Sequence, residues 1–301
     1  MDFDQLVLNG KVKRIFRAKR KITTPNIVSH ITQRSAGKDP LFVEDSDYLY
    51  MLAQLKEIAG KRGLDVYSFC LMPTHIHLLA SPRENELQEP MRDLFSRYAM
   101  RFNRKYMRKG HLFAGPYRQA VCLDDAYLLA ASLYIHMNPV RAGLVDDPRN
   151  FRWSSIRVFH DLKARDSFLE PYFILRLLSS SEKTSKELYQ ELLMRSVELD
   201  VGDALEQVDA VARFRKAFGR IFPAIFAKVG TRKHIPDRIG LSLLDEEEIE
   251  NQLTAEVPPQ SADARRFLIQ QLIARGYKRQ EIADKLNVSV KTVYNILHAP
   301  Q

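Results

Sequence analysis

The chain has 301 residues, 45% of them hydrophobic, and carries 46 Lys and Arg against 37 Asp and Glu, a net charge of +9. That length favours two domains with sizeable cores, and the basic balance points to a polyanionic partner. Two cysteines, Cys70 and Cys122, exclude a disulfide framework or a cysteine-rich zinc site, and no run of about 18 apolar residues or signal-peptide pattern occurs, so the expectation is a cytoplasmic protein with no membrane partner.

Residues 1–19 read as a basic arm. NIVSHITQR, at 26–34, alternates like a first strand, and GKDP breaks it. DSDYLYMLAQLKEIAGKR, at 45–62, begins with residues suited to a helix start, sets Leu49, Leu52, Leu55 and Ile58 at helical spacing and stops at Gly63. LDVYSFCLM and HIHLLASP, separated by Pro73 and Thr74, predict a hairpin. A second helix is expected over 87–108, a fourth strand within 110–123, and a third helix over 124–137, capped by Asp124 or Asp125 and ended near Asn138-Pro139.

The order β-α-β-β-α-β followed by a helix is that of a ferredoxin-like sandwich, so the fold class is α+β over residues 20–160. Beyond it, 161–243 reads as helical, with a polar break at SSSEK, and 244–263 as an acidic, Pro-containing linker. Residues 264–301 form a separate small unit, giving an all-α C-terminal region. There is no internal repeat.

His75 and His77 stand two apart on a strand and share one face. Such a pair can place two imidazole nitrogens on one divalent ion, given a third ligand from elsewhere; the alternative is a pair of hydrogen-bonded core histidines. Tyr134 and Asn138 are four apart, so on a continuous helix they share a face about one turn apart. Asn138 offers an amide oxygen, Tyr134 a phenol. A tyrosine beside a metal that grips phosphate is what a phosphotyrosine intermediate requires. Tyr127 has Ala131 where Tyr134 has Asn138, and Ala131 cannot ligate a metal. His136 is expected to point away from the site and pack; His30 either lines the site or is a satisfied core residue.

CLMPTHIHLL at 70–79 and YIHMNPVRAGLV at 134–145 together resemble the single-tyrosine HUH transposases, in the branch associated with repetitive extragenic palindromes (REP). The resemblance covers about residues 20–160 and includes HITQR, LFVEDSDY and FRWSS. It implies that Tyr134 is the nucleophile and that His75, His77 and Asn138 hold Mg²⁺ or Mn²⁺. It further implies cleavage and rejoining of single-stranded or hairpin DNA through a covalent 5′-phosphotyrosine, by a monomer or homodimer associated with the nucleoid. The chain departs from the family at Pro116, before Tyr117, where relatives often have Arg.

Along the second helix, Arg97, Arg101, Arg104 and Arg108 form a basic stripe, and Phe95, Tyr98 and Phe102 an aromatic one. The aromatics read as core-facing. The arginines, with Arg118, are candidate phosphate contacts, the alternative being a solvated helix back. YKRQEIADKLNVSVKTVYNILHA, at 277–299, resembles a helix-turn-helix: Ile282, Ala283 and Leu286 pack the first helix, Val288 the turn, Val293 and Ile296 the second. Asn287 tolerates a left-handed turn and Ser289 caps the second helix, leaving Val290, Lys291, Thr292 and Asn295 as candidate groove contacts. A three-helix bundle without a DNA role is the alternative there. For the whole chain, the alternatives to a transposase are a DNA-binding regulator with a vestigial nuclease centre and a small-phosphoester hydrolase; the latter lacks a carboxylate-rich site.

Overall fold

The computed structural model describes residues 26–197 apart from Lys38, Asn85, 123–124 and 162–167, and, beyond them, chiefly 222–230 and 279–298. The expectations for the arm at 1–19 and the linker at 244–263 lie outside the described residues.

The first part runs β1 (Ser29–Arg34), α1 (Asp45–Lys61), β2 (Leu64–Leu71), β3 (His75–Pro82), α2 (Gln88–Lys105), β4 (Arg118–Val121) and α3 (Asp125–Arg141). The four strands form one antiparallel sheet in the order β2-β3-β1-β4. Consequently β1–α1–β2 and β3–α2–β4 each join parallel strands with one strand between them, and right-handed crossovers place both helices on one face. α1 and α2 pack against each other there. This is the predicted α+β sandwich.

Strand alternation fixes what each face carries. Ile76 and Leu78 are buried on one side; His75, His77 and Leu79 point to the other, where α3 packs on β2 and β3. Phe95, Tyr98 and Phe102 of α2 are buried, as expected of the aromatic stripe. In α1 the packed face is Met51, Leu55, Ile58 and Ala59, whereas Leu49 is 55% exposed, so its helical spacing with Leu52 misplaced the apolar stripe.

Two segments outside the sheet close it. FRWSS at 151–155 lies along the free edge of β2: Leu71 N donates to Trp153 O at 2.9 Å and Ser155 N to Phe69 O at 3.0 Å. That satisfies the backbone of an edge strand that would otherwise invite pairing with another chain. The helices α4 (Ile156–His160), α5 (Tyr172–Leu175) and α6 (Glu182–Val197) follow, with α6 packed on α3, and α7 (Pro223–Gly230) also meets α3.

α3 does not stop near Asn138-Pro139 as expected but continues to Arg141. Pro139 removes one N–H and one intrahelical bond, yet in the last turn this is cheap. Beyond it, Ala142 N still donates to Asn138 O and Leu144 N to Pro139 O, both at 2.9 Å. Asn138 is therefore inside the helix, and its relation to Tyr134 is the helical one.

A separate unit contains α8 (Arg279–Lys285) and α9 (Val290–His298). Ile282, Ala283 and Val293 are buried between them and Leu286, Val288 and Ile296 are partly buried. Asn287 has φ 51°, the left-handed turn residue anticipated, and Ser289 Oγ accepts from Thr292 N at 3.0 Å, capping α9.

Candidate active site

Register places the site. β1 lies between β3 and β4, with Thr32 opposite His77 on one side and Arg118 on the other; Arg34 faces His75 and His30 faces Leu79. His30, Thr32, Arg34, His75, His77 and Arg118 thus form one side-chain field on a single face of the sheet. Onto it α3 lays Tyr134, whose ring meets His77 at a centroid distance of 5.6 Å and His30 at 5.8 Å, both edge-on. All four residues expected to form the site are brought together by one chain.

The histidine pair is asymmetric. His75 is half-buried, with Nδ1 3.2 Å from Thr74 Oγ1, while His77 is 2% exposed. His77 Nδ1 lies 2.9 Å from His30 Nε2 and 3.3 Å from Thr32 Oγ1. Its Nε2 is buried with no hydrogen-bond partner. Burial, and then electrostatic interaction with His75, His30 and Arg34, hold the His77 imidazole well below its ordinary pKa, with a weaker opposing effect from a hydrogen bond with the Asn138 side chain. It is neutral at physiological pH.

Asn138 completes the picture. Its Nδ2 donates to Tyr134 O at 2.8 Å, which leaves Oδ1 as the acceptor atom of the amide, beside His77. Among the described residues no group of three or more His, Cys, Asp and Glu side chains could hold a metal ion. A cation here would depend on the amide oxygen beside two imidazoles. The donor set fits a divalent ion on one specific count: a buried ring nitrogen without a partner costs about 1–3 kcal/mol, and a metal ligand removes that cost.

Tyr134 is 1% exposed and Asn138 7%, so the phenol ring is closed off from solvent, and attack on a DNA phosphate requires it to be uncovered. His136, on the same helix, packs as expected. Its Nδ1 is 2.7 Å from Tyr189 Oη and its Nε2 2.7 Å from Ser155 Oγ. Tyr189 Oη also meets Ser132 Oγ at 2.7 Å, and Ser155 Oγ accepts from Phe69 N at 2.8 Å. This chain of bonds ties α3 to α6 and β2.

Arg97, Arg101 and Arg104 lie on α2, across the sheet from Tyr134. Arg108 falls beyond the end of that helix at Lys105, which stops short of the expected 108, and so is not part of a continuous helical stripe. Arg97 pairs with Glu57 at 3.1 Å, Arg101 sits over the Tyr50 ring at 4.3 Å and Arg108 pairs with Asp39 at 2.9 Å, while Arg104 is exposed. Such surface pairs are worth about 0–1 kcal/mol, so phosphates can compete for them. Of the predicted DNA contacts in this domain, Arg118 alone lies on the sheet face that carries the histidines. In α9, Lys291 and Asn295 are exposed and Thr292 is half-buried.

Sequence reading did not single out Thr32, Arg34, Tyr189 or Ser155. The alternation of HITQR put His30, Thr32 and Arg34 on one face, but only the β1–β3 pairing shows that this face is the one carrying the histidine pair. Tyr189 has no local signal at all.

Residues 23–138 match the family model described as "Transposase IS200 like", a stretch that runs from before β1 to Asn138 and includes every proposed site residue of that domain. Residues 261–301 match one described as "Homeodomain-like domain". A search of the solved structures found "Structure of the REP associates tyrosine transposase bound to a REP hairpin", at 11% identity and a TM-score of 0.43, covering 48% of this chain and 84% of that one. No curated protein matches the chain. Residues 23–138 are thus similar to IS200-like transposases and residues 261–301 to homeodomain-like domains.

Proposed function

We propose that the chain is a DNA transposase that cleaves and rejoins single-stranded or hairpin DNA through Tyr134. The observation that carries this reading is the contact of the Tyr134 ring with His77 inside the stretch matching the transposase family, with Asn138 one turn further along the same helix. His75, His77 and Asn138 would hold Mg²⁺ or Mn²⁺. Bound there, the cation would withdraw charge from the scissile phosphate and orient it for in-line attack.

Tyr134 Oη attacks the phosphorus, forming a phosphotyrosine ester as the P–O3′ bond breaks. The phenol proton is lost and the 3′ oxygen takes one up. Bond energy is retained in the ester, so the reverse attack by a 3′-OH rejoins DNA without ATP. The contact between Tyr134 and His77 of one chain supports cleavage within a single subunit. Arg34 and Arg118, on the same face, supply positive charge beside the phosphate. The motif resemblance to the REP-associated branch points to palindromic hairpins as substrate, with α9 adding duplex contacts through Lys291, Thr292 and Asn295.

Incubating the protein with end-labelled hairpin DNA and Mn²⁺ tests this reading: native protein forms a covalent adduct and Tyr134→Phe forms none. An adduct that persists in Tyr134→Phe moves the nucleophile elsewhere. The near-complete burial of Tyr134 favours a second reading, a DNA-binding regulator with an unused nuclease centre; hairpin binding without any cleavage by the native protein supports it.

A further inference from the structure

The geometry points to His30 as a positioning residue that holds the His77 ring with Nε2 directed at the metal, an inference that rests on the metal-dependent reading above. His30 Nε2 is 2.9 Å from His77 Nδ1, and the two rings stack at a centroid distance of 5.1 Å and an interplanar angle of 20°. The same His30 ring meets Tyr134. One buried side chain therefore touches a proposed ligand and the proposed nucleophile together.

The chemistry selects a proton arrangement. A neutral imidazole has one N–H and one lone pair. If His77 Nε2 gives its lone pair to a cation, Nδ1 must carry the hydrogen and needs an acceptor. His30 Nε2 is the nearest acceptor and Thr32 Oγ1, at 3.3 Å, the next. His30 in turn must carry its own hydrogen on Nδ1. Ligating histidines are commonly fixed in this way by a carboxylate, a carbonyl or water, and loss of such a partner weakens metal binding by about 10- to 100-fold. Here a second imidazole fills the role, and the pairing leaves Nε2 of His77 as the atom without a protein partner. His30 is 6% exposed, so water does not readily replace it.

The test is Mn²⁺ binding by the full-length protein, read from the electron paramagnetic resonance signal of free Mn²⁺, with His30→Leu, His30→Gln and His77→Ala as variants. Leu fills the space but cannot accept a hydrogen bond, whereas the Gln amide oxygen reaches about where Nε2 stands. His30→Leu is expected to bind Mn²⁺ about 10- to 100-fold more weakly and His30→Gln within a few-fold of native. A purely structural role would instead lower the thermal midpoint of the variants without this Leu-to-Gln recovery. His30→Leu binding as tightly as native overturns the inference while leaving the metal reading intact. If native protein binds no Mn²⁺, or His77→Ala binds as native does, the metal reading itself fails and the inference with it.

Discussion

Two buried histidines on opposite sides of one helix contact are treated differently by the fold. His136 uses both ring nitrogens, on Tyr189 and Ser155. His77 uses one, on His30 and Thr32, and leaves the other buried without a partner. Proteins satisfy nearly all buried polar atoms, so a saturated imidazole reads as structure and a half-saturated one as a place built for something else. The difference is one of partners rather than of burial, since both rings are closed to solvent.

The comparison can be broken most directly at the unsatisfied ring. His77→Ala should abolish covalent adduct formation on hairpin DNA per folded molecule, with a fall in melting temperature, from the lost His30 bond and the cavity left behind, that does not account for the lost activity. A variant that unfolds but retains activity per folded molecule would reverse the assignment. The opposite pattern is expected at His136. His136→Ala strands the hydroxyls of Tyr189 and Ser155 and leaves a cavity, a loss of about 2–4 kcal/mol in urea unfolding.

Acid sharpens the contrast further. Burial lowers the pKa of His136 to about 3 and that of His30 to about 4. Both are neutral in the folded state and protonate near 6.5 when unfolded, so the unfolded chain binds more protons below that pH. Stability should be full above about pH 6.5 and fall as pH drops toward 4, by up to about 1.4 kcal/mol per pH unit for each histidine. Urea midpoints measured at pH 7.5 and 5.0 check this; the dependence should weaken in a folded His136→Gln variant.

The smallest effects belong to the arginines. Arg104→Gln on α2 should change stability by less than about 0.5 kcal/mol. If the stripe contacts DNA, the same change should lower the slope of log binding constant against log salt by about 0.7 for single-stranded DNA. An unchanged slope, with a reduced one in Arg118→Gln, would confine DNA to the histidine face.

Much of this architecture was legible locally. Period-two alternation in HITQR, the β-branched and aromatic run LDVYSFCLM, the return HIHLLASP after Pro73-Thr74, and the acidic start and glycine stop of α1 yield the β-α-β-β-α-β order, because these patterns depend on the neighbouring residues alone. The helix-turn-helix was equally local: Asn287 and Ser289 announce the turn and cap that the structure contains. Less legible were the length of α3, where propensity at Asn138-Pro139 gave way to bonds beyond the proline, and the exposure of Leu49, where helical spacing alone could not say which face met the sheet.

The site divides along the same line. By itself the sequence determined that two histidines share a strand face and that a tyrosine and an asparagine share a helix face, since both follow from fixed repeat geometry. Only the tertiary structure decided that these faces meet, that His30 and Thr32 occupy one nitrogen of His77, and that the arginine stripe stands on the other side of the sheet. Strand order and helix docking join residues 47 to 57 positions apart, and no local pattern encodes such pairings.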